Sequence, residues 1–268
     1  MSLMYPSSVE PSLVRGKSVP RIGRKKPESV DATVAIPGLF VTGTDTDVGK
    51  TAVATVLVRL VVAQGIRVGV YKPVASGVVY GQAGDKERLW EAAGRPLDAA
   101  AVCPQAFAAP LAPPHAARLE GRSVDEELLL SGLDPWLKTS DFLVVEGAGG
   151  LFSPLSENLL NADVARGIGL PLVVVDAARL GCIGRTLATC LAARSVGLEV
   201  AAIVLSHLHE DHGADASTPT SAAAIASAGA AALAVRLPGV AVTILGHGHG
   251  DFTPTLDWLA LGRLSAGR

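Results

Sequence analysis

The stretch VTGTDTDVGKT, residues 41–51, decides the fold of this chain. An apolar run at residues 38–42 leads into it and predicts a buried strand, and the apolar spacing of residues 52–64 predicts a helix. A glycine-containing turn between a strand and a helix presents free backbone N–H groups and the positive end of the helix dipole to an anion. The stretch therefore predicts a phosphate-binding loop.

Two residues of this loop carry the chemistry expected of it. Lys50 can place a positive charge on the β- and γ-phosphates of a nucleoside triphosphate, and Thr51 can offer its hydroxyl to Mg2+. The loop departs from the strict pattern, because Thr44 stands where a glycine is expected and Gly43 comes one residue earlier. A glycine-rich turn that binds nothing is the alternative, and the flanking strand and helix argue against it.

Strand and helix patterns alternate along the rest of the chain. Further strands are predicted at residues 67–71, 142–145, 170–176, 200–205 and 242–245, and further helices at 84–93, 123–138 and 184–196. Continuous apolar strands separated by helices indicate a mainly parallel sheet covered on both faces. We therefore expect an α/β fold, a three-layer P-loop NTPase-like domain over residues 37–268, with ligands bound at the carboxyl edge of its sheet.

Residues 1–36 differ from the rest of the chain. They contain several prolines and serines, show no sustained periodicity, and carry a basic cluster at Arg21, Arg24, Lys25 and Lys26. This composition predicts a disordered N-terminal tail. A nucleic-acid-binding arm is the alternative, but the formal net charge of −2 gives no electrostatic reason to expect such a partner.

The composition also indicates the cellular compartment in which the protein is expected. Apolar residues make up 49% of the chain, yet no uninterrupted apolar run is long enough for a membrane span. The three cysteines, Cys103, Cys182 and Cys190, form no CxxC pair, which suits buried thiols in a reducing cytosol. The chain opens without a signal-peptide pattern. We expect a cytoplasmic protein without a membrane partner.

Four stretches together resemble the dethiobiotin synthetase family: VTGTDTDVGKT (41–51), YKPVASG (71–77), VEGAGG (145–150) and LGCI (180–183). The weaker stretch FAAPLAPPH (107–115) fits as well. YKPVASG and VEGAGG are far more specific than the phosphate loop alone. The resemblance implies a homodimeric P-loop enzyme of biotin biosynthesis, which uses ATP and Mg2+ to join CO2 to 7,8-diaminononanoate and close a cyclic urea.

The resemblance also implies roles for individual residues. The catalytic residues would be Lys50, Lys72, Thr46 and Ser76. The nucleotide would be bound by Gly43, Asp47, Val48, Gly49, Lys50 and Thr51, with Ser206 and His207 near the base. The diamine or its carbamate would be bound by Lys72, Ser76, Gly77, Glu146, Gly147, Ala148, Gly149 and Gly150. The magnesium ligands would be Thr51, Asp85 and Glu146.

These residue types suit such chemistry. A carbamate that attacks a γ-phosphate brings several negative charges to one place, so cations must gather there, and Lys50 and Lys72 can flank the reacting groups. Mg2+ prefers hard oxygen ligands, as Glu146 and Asp85 provide. The simpler alternatives are that Lys72 is a surface lysine before a turn proline and that Asp85 is only a charge at a helix N-terminus.

A different class of protein is suggested by residues 207–212, which read HxHxDH. His207, His209, Asp211 and His212 match the zinc-binding run of metallo-β-lactamase-like hydrolases, and His247, His249 and Asp251 form a second cluster. That hydrolase fold places the run early in the chain, whereas a P-loop pattern fills the region before it here. A solvated loop or an adventitious metal-binding loop is the alternative.

The second alternative keeps the fold but changes the activity. A switch ATPase of the chromosome-partitioning type usually has a further lysine early in the phosphate loop, where this chain has Thr44. Those proteins also lack YKPVASG. The resemblance therefore favours the ligase.

Overall fold

The computed structural model of the chain describes residues 36–207, 218 and 220–264. Its strands are β1 (Gly38–Gly43), β2 (Val68–Tyr71), β3 (Phe142–Gly150), β4 (Leu172–Ala177), β5 (Val200–Ser206), β6 (Ala241–Leu245) and β7 (Phe252–Thr253). In the described residues they form one sheet in the order β2-β3-β1-β4-β5-β6-β7. Neighbouring strands are parallel except β6 and β7, which are antiparallel.

The helices of these residues connect the strands. They are α1 (Lys50–Val62), α2 (Asp85–Ala92), α3 (Ala99–Val102), α4 (Pro113–Leu119), α5 (Leu128–Ser131), α6 (Asp134–Thr139), α7 (Asn161–Ile168), α8 (Cys182–Ser195), α9 (Ala222–Arg236) and α10 (Trp258–Gly262). Each helix of the described chain is too short or too polar to cross a bilayer.

Helices cover both faces of the sheet. Every residue of β1, β2, β4 and β5 is buried, and successive side chains of a strand point to opposite faces. Helix α1 packs against β1, β2 and β3, whereas α8 packs against β4 and β5. The predicted three-layer α/β fold with a mainly parallel sheet is therefore confirmed.

The prediction of one helix at residues 123–138 is wrong. The structure has two short helices there, α5 and α6, and Pro135 lies near the start of the second, where its missing N–H is tolerated. Gly132, between them, packs against Tyr71, since an added Cβ would lie 2.3 Å from the Tyr71 hydroxyl oxygen. Tyr71 donates a hydrogen bond to the Leu128 carbonyl at 2.7 Å, which fixes α5 beside β2.

Strand β3 is longer than predicted, because it continues through the glycines of VEGAGG. Gly150 pairs with Gly43 after an irregularity in the β1–β3 register, and Leu151 N–H donates to the Gly43 carbonyl at 3.1 Å. The sequence had predicted a strand at residues 142–145 only. The extension places the whole VEGAGG segment beside the phosphate loop.

Several elements were not predicted at all, among them α7, α9, α10 and β7. Helix α9 is rich in alanine and has no clear apolar stripe, so periodicity does not reveal it. Its N-cap is Ser221, whose hydroxyl accepts from Ala224 N–H at 3.1 Å. The three cysteines are free and buried, as predicted.

Candidate active site

The phosphate loop connects β1 to α1 through backbone conformations that few residues adopt. Asp47 has φ 52° and Gly49 has φ 93°. Gly43 has no room for a side chain, because an added Cβ would lie 2.6 Å from the Asp45 carbonyl oxygen and 3.2 Å from Lys50 Nζ. This crowding explains why position 43 is a glycine.

Lys50 is buried at the start of α1. Its Nζ donates to the Asp45 carbonyl at 3.0 Å and so points into the loop. Burial lowers the pKa of Lys50, Glu146 opposes that shift, and the positive charge of Lys72 adds to it. A triphosphate in the loop would bring further negative charge to this ammonium and so favour its charged form.

Four predicted residues meet between the carboxyl ends of β2 and β3. Thr51 Oγ1 donates to Glu146 Oε1 at 2.8 Å. Lys72 Nζ donates to the same Glu146 oxygen at 2.6 Å and to Asp85 Oδ2 at 2.5 Å. The other Glu146 oxygen, Oε2, is buried and has no hydrogen-bond partner within the described ranges. The cluster therefore offers a hydroxyl and two carboxylates, which are the hard oxygen ligands that Mg2+ prefers.

The charges in this cluster shift one another's pKa values. Burial lowers the pKa of Lys72, but Glu146 and Asp85 outweigh burial and leave that pKa raised. Burial raises the pKa of Asp85, but Lys72 and the Thr51 hydroxyl outweigh it and leave that pKa lowered. Lys72 is buried, so it is not the surface lysine of the simpler alternative. Asp85 is the first residue of α2, as the simpler alternative of a helix N-terminal charge requires, but it also accepts a hydrogen bond from Lys72.

Ser76 and Gly77 lie in a cleft of about 320 Å³, whose lining is formed by residues 75–87 together with Cys103 and Ala106. Backbone hydrogen bonds to residues 102–109 hold the segment that follows Lys72. Lys72 N–H donates to Val102, Ala75 N–H to Gln105 and Gly77 N–H to Ala109, at 2.7–3.0 Å. Asp85 lines the same cleft, so the structure brings two predicted substrate residues and one predicted metal ligand together.

The glycines of VEGAGG approach the loop closely. Gly147 packs against Asn161 of α7, where an added Cβ would lie 2.4 Å from Oδ1, and Gly149 has φ 69°. Gly150 N–H donates to Ser153 Oγ at 3.0 Å. Ala148 lies between Gly147 and Gly149 and is half-buried, whereas Gly147 and Gly150 are buried.

A second cleft, of about 440 Å³, adjoins the first turns of α1. Ser206, His207 and residues 245–249 line one side of it, and the contact of Ser206 and His207 with the base stays a prediction. Thr55, Arg59 and Arg88 also line it, and the sequence had not pointed to them. Thr55 Oγ1 is buried and has no hydrogen-bond partner in the part of the chain that the structure describes.

The structure does not test two of the sequence predictions, the catalytic role of Thr46 and the zinc-binding run. Thr46 is exposed and donates to Asp45 Oδ1 at 3.2 Å, so its catalytic role stays a prediction. His209, Asp211 and His212 of the proposed zinc run lie outside the described residues. Within the described ranges, no three His, Cys, Asp or Glu side chains form a metal-binding group.

Sequence reasoning missed two buried residues that contact this site. Asn161 Nδ2 donates to Thr42 Oγ1 and to the Gly150 carbonyl at 3.4 and 3.3 Å. Asp176, at the end of β4, accepts from Thr44 Oγ1 at 2.7 Å. The signal for Asp176 was present, because a charged residue that ends a buried parallel strand lies at the ligand-binding edge.

Comparisons with known proteins agree on one family. A family model described as an AAA domain matches residues 37–246. The ATP-dependent dethiobiotin synthetase BioD of Rhodopirellula baltica is 44% identical over 68% of this chain and 76% of that protein. The proteins of the same name from Anaeromyxobacter dehalogenans and Bacillus subtilis are 48% and 38% identical, over 63% and 68% of this chain and 76% and 79% of theirs. With its phosphate loop, its buried Lys72–Glu146 pair and these relatives, the chain belongs to the family of ATP-dependent dethiobiotin synthetases.

Proposed function

We propose that this chain is the ATP-dependent ligase that makes dethiobiotin from 7,8-diaminononanoate and CO2. The observation that carries the proposal is the meeting of Lys72, Glu146, Asp85 and Thr51 beside the phosphate loop. Relatives that are 44% and 48% identical bear the name of this enzyme. We place the reaction in the cytoplasm, in keeping with the sequence prediction.

The reaction consumes three substrates and forms three bonds in turn. One amine of the diamine takes up CO2 and loses a proton, which gives a carbamate. A carbamate oxygen then attacks the γ-phosphorus, and the bond from that phosphorus to the β-phosphate bridging oxygen breaks to release ADP. The second amine attacks the carbonyl carbon of the mixed anhydride, loses a proton and expels phosphate, which closes the ureido ring.

The two lysines, Lys50 and Lys72, would stabilise the negative charge of the phosphates and the carbamate during these steps. Lys50, at the base of the phosphate loop, would contact the β- and γ-phosphates. Lys72 would contact the carbamate and the transferring phosphoryl group, with Glu146 and Asp85 holding its ammonium in place. Ser76, Gly77 and the backbone of residues 147–150 would hold the diamine end.

The residues present fit Mg2+. Such a site usually combines one or two carboxylates with phosphate oxygens and keeps several waters. Thr51, Asp85 and Glu146 supply a hydroxyl and two carboxylates. No described residue forms a hydrogen bond to Glu146 Oε2, so this oxygen can bind the ion. When bound, Mg2+ would neutralise part of the charge on the β- and γ-phosphates.

The proposal is tested by incubating the protein with the diamine, bicarbonate, ATP and Mg2+ and measuring phosphate release, with mass detection of dethiobiotin. We expect one phosphate per dethiobiotin and little hydrolysis without the diamine. Strong hydrolysis without the diamine would instead indicate the switch ATPase. Activity lost when zinc is chelated, together with stoichiometric zinc, would indicate the hydrolase.

We further propose an isologous homodimer, as the resemblance implies, with contacts through residues 151–161. This segment is held in place within the subunit, since Glu126 Oε1 accepts from Ser156 Oγ and from Asn158 N–H at 2.5 and 3.2 Å. Phe152, in the same segment, is 40% exposed and would pack across the two-fold axis.

Light scattering should give the mass of a dimer for the parent protein and of a monomer for Phe152→Asp, because a charge in an apolar interface is strongly unfavourable. Dissociation should also raise KM for the diamine. Val235→Asp, on the exposed side of α9, is the control and should remain dimeric. An active monomeric parent protein would contradict the proposal.

Selection of the nucleotide base should be weak. Family members commonly use an asparagine where this chain has Ser206-His207, and neither hydroxyl nor imidazole reproduces the paired donor and acceptor of an amide. A single solvated contact contributes only about 1 kcal/mol. We expect kcat/KM for ATP, CTP and GTP to agree within roughly tenfold. A preference for one base of more than a hundredfold would contradict this prediction.

Changing His207, His209 and His212 to alanine should shift KM for the nucleotide and leave kcat largely intact.

A further inference from the structure

We propose that Asp176 is a positioning residue for the phosphate loop and acts through the hydroxyl of Thr44. Asp176 is fully buried at the end of β4, and Thr44 Oγ1 donates to its Oδ1 at 2.7 Å. The two residues belong to neighbouring strand ends, because β4 pairs with β1. The inference rests on the proposed function, since it assumes that a nucleotide binds in this loop.

The Asp176 carboxylate is fixed from several sides. Arg185 of α8 donates to Oδ1 through Nε at 3.3 Å and through Nη2 at 3.2 Å. Ala177 N–H donates to the same oxygen at 2.8 Å, and Thr186 Oγ1 donates to Oδ2 at 3.3 Å. Arg185 also donates to the Leu180 carbonyl at 3.2 Å, which ties the carboxylate to the turn before α8. An acceptor held in this way can fix the position of a donor in the neighbouring loop.

Thr44 needs such an anchor because of where it stands. It is the residue that replaces the glycine of the strict phosphate-loop pattern, and the glycine at position 43 is required by the close approach of Asp45 and Lys50. Thr44 N–H donates to the Val175 carbonyl at 2.9 Å. Both the backbone and the side chain of Thr44 are therefore held by the end of β4.

The three residues that follow Thr44 lie at the surface of the loop. Asp45, Thr46 and Asp47 are exposed, and Asp47 has the positive φ noted above. The contact between Thr44 and Asp176 fixes the backbone position from which residues 45–47 continue. It therefore also positions the backbone N–H groups that would contact the phosphates. Preorganised donors raise affinity because less conformational freedom is lost on binding. Release of Thr44 should therefore weaken nucleotide binding more than it weakens the fold.

Two threonines allow a matched test, because both donate to Asp176 and only one lies in the loop. Affinity for a non-hydrolysable ATP analogue with Mg2+ is measured by calorimetry, alongside KM for ATP and for the diamine. We expect Thr44→Val to raise the dissociation constant roughly tenfold, the loss of one charge-assisted hydrogen bond. Thr186→Val should change the dissociation constant less than about twofold, and Thr44→Ser should restore it to near the parent value. KM for the diamine should not change.

A double-mutant cycle separates positioning from general destabilisation. Asp176→Asn should weaken nucleotide binding in the parent protein and add nothing in the Thr44→Val background, since the contact is already absent there. Equal losses for Thr44→Val and Thr186→Val, an unchanged dissociation constant for Thr44→Val, or additive effects in the double variant would each overturn the proposal. Nucleotide binding is measured without the diamine, so a parent protein that binds the analogue but makes no dethiobiotin would refute the ligase and leave this inference standing.

Discussion

Replacing Lys50 by alanine should lower kcat for dethiobiotin formation by roughly a hundredfold or more, because it removes a cation from the place where the transferring phosphoryl group carries charge. Lys50 is buried and directed into the phosphate loop by its bond to the Asp45 carbonyl. Residues 41–51 contain one lysine and no arginine, so the loop has no second cation to replace it. Thr51→Ala should cause a loss of similar size, since it removes the hydroxyl that lies 2.8 Å from Glu146. Steady-state phosphate release with varied ATP and diamine measures both effects.

The controls for this prediction use the same chemical changes elsewhere. Lys138→Ala removes an exposed lysine from α6 and should leave kcat unchanged. Thr51→Ser keeps the hydroxyl and should keep most of the activity. Thermal melts show whether each variant is folded. Near-normal turnover in both Lys50→Ala and Thr51→Ala would contradict the assignment of residues 43–51 as the phosphate loop.

The phosphate loop could be predicted because its signal is local. A strand, a turn with GKT and a helix follow one another within a short stretch, and spacing alone fixes their relation. The division of residues 123–138 into α5 and α6 could not be predicted in the same way, because it depends on Tyr71 of a distant strand packing against Gly132. Tertiary contacts override local patterns in such segments.

The arrangement of the site depended on the strand order, which local patterns do not give. Strand β3 lies between β2 and β1, so Glu146 is placed between Lys72 and the loop that carries Lys50 and Thr51. The sequence indicated that these residues share one edge of the sheet. It did not indicate that one carboxylate oxygen would accept from both Thr51 and Lys72. In the sequence, Thr44 is recognisable only as a departure from the phosphate-loop pattern. The structure shows that its hydroxyl contacts Asp176.

Replacing Lys72 by alanine should strongly reduce the rate of dethiobiotin formation while nucleotide binding is retained. Lys72 lies outside the phosphate loop, and its ammonium contacts Glu146 and Asp85. In the proposed reaction it contacts the carbamate and the transferring phosphoryl group, so its loss should affect chemistry more than nucleotide binding. We expect the dissociation constant of an ATP analogue to change by less than roughly tenfold and the rate of dethiobiotin formation to fall by roughly a thousandfold. Calorimetry and mass detection of the product measure the two quantities separately.

Stability must be followed in the same variant, because Glu146 is fully buried and Lys72 is its cation. Removing one partner of a buried ion pair destabilises a protein by about 3 kcal/mol or more. Lys72→Arg keeps the positive charge beside Glu146 and Asp85 but changes its shape and reach, so it should recover much of the lost stability and little of the activity. Full activity in Lys72→Arg would show that only the charge matters. ATP hydrolysis by Lys72→Ala that needs no diamine and matches the parent rate would contradict the ligase and favour the switch ATPase.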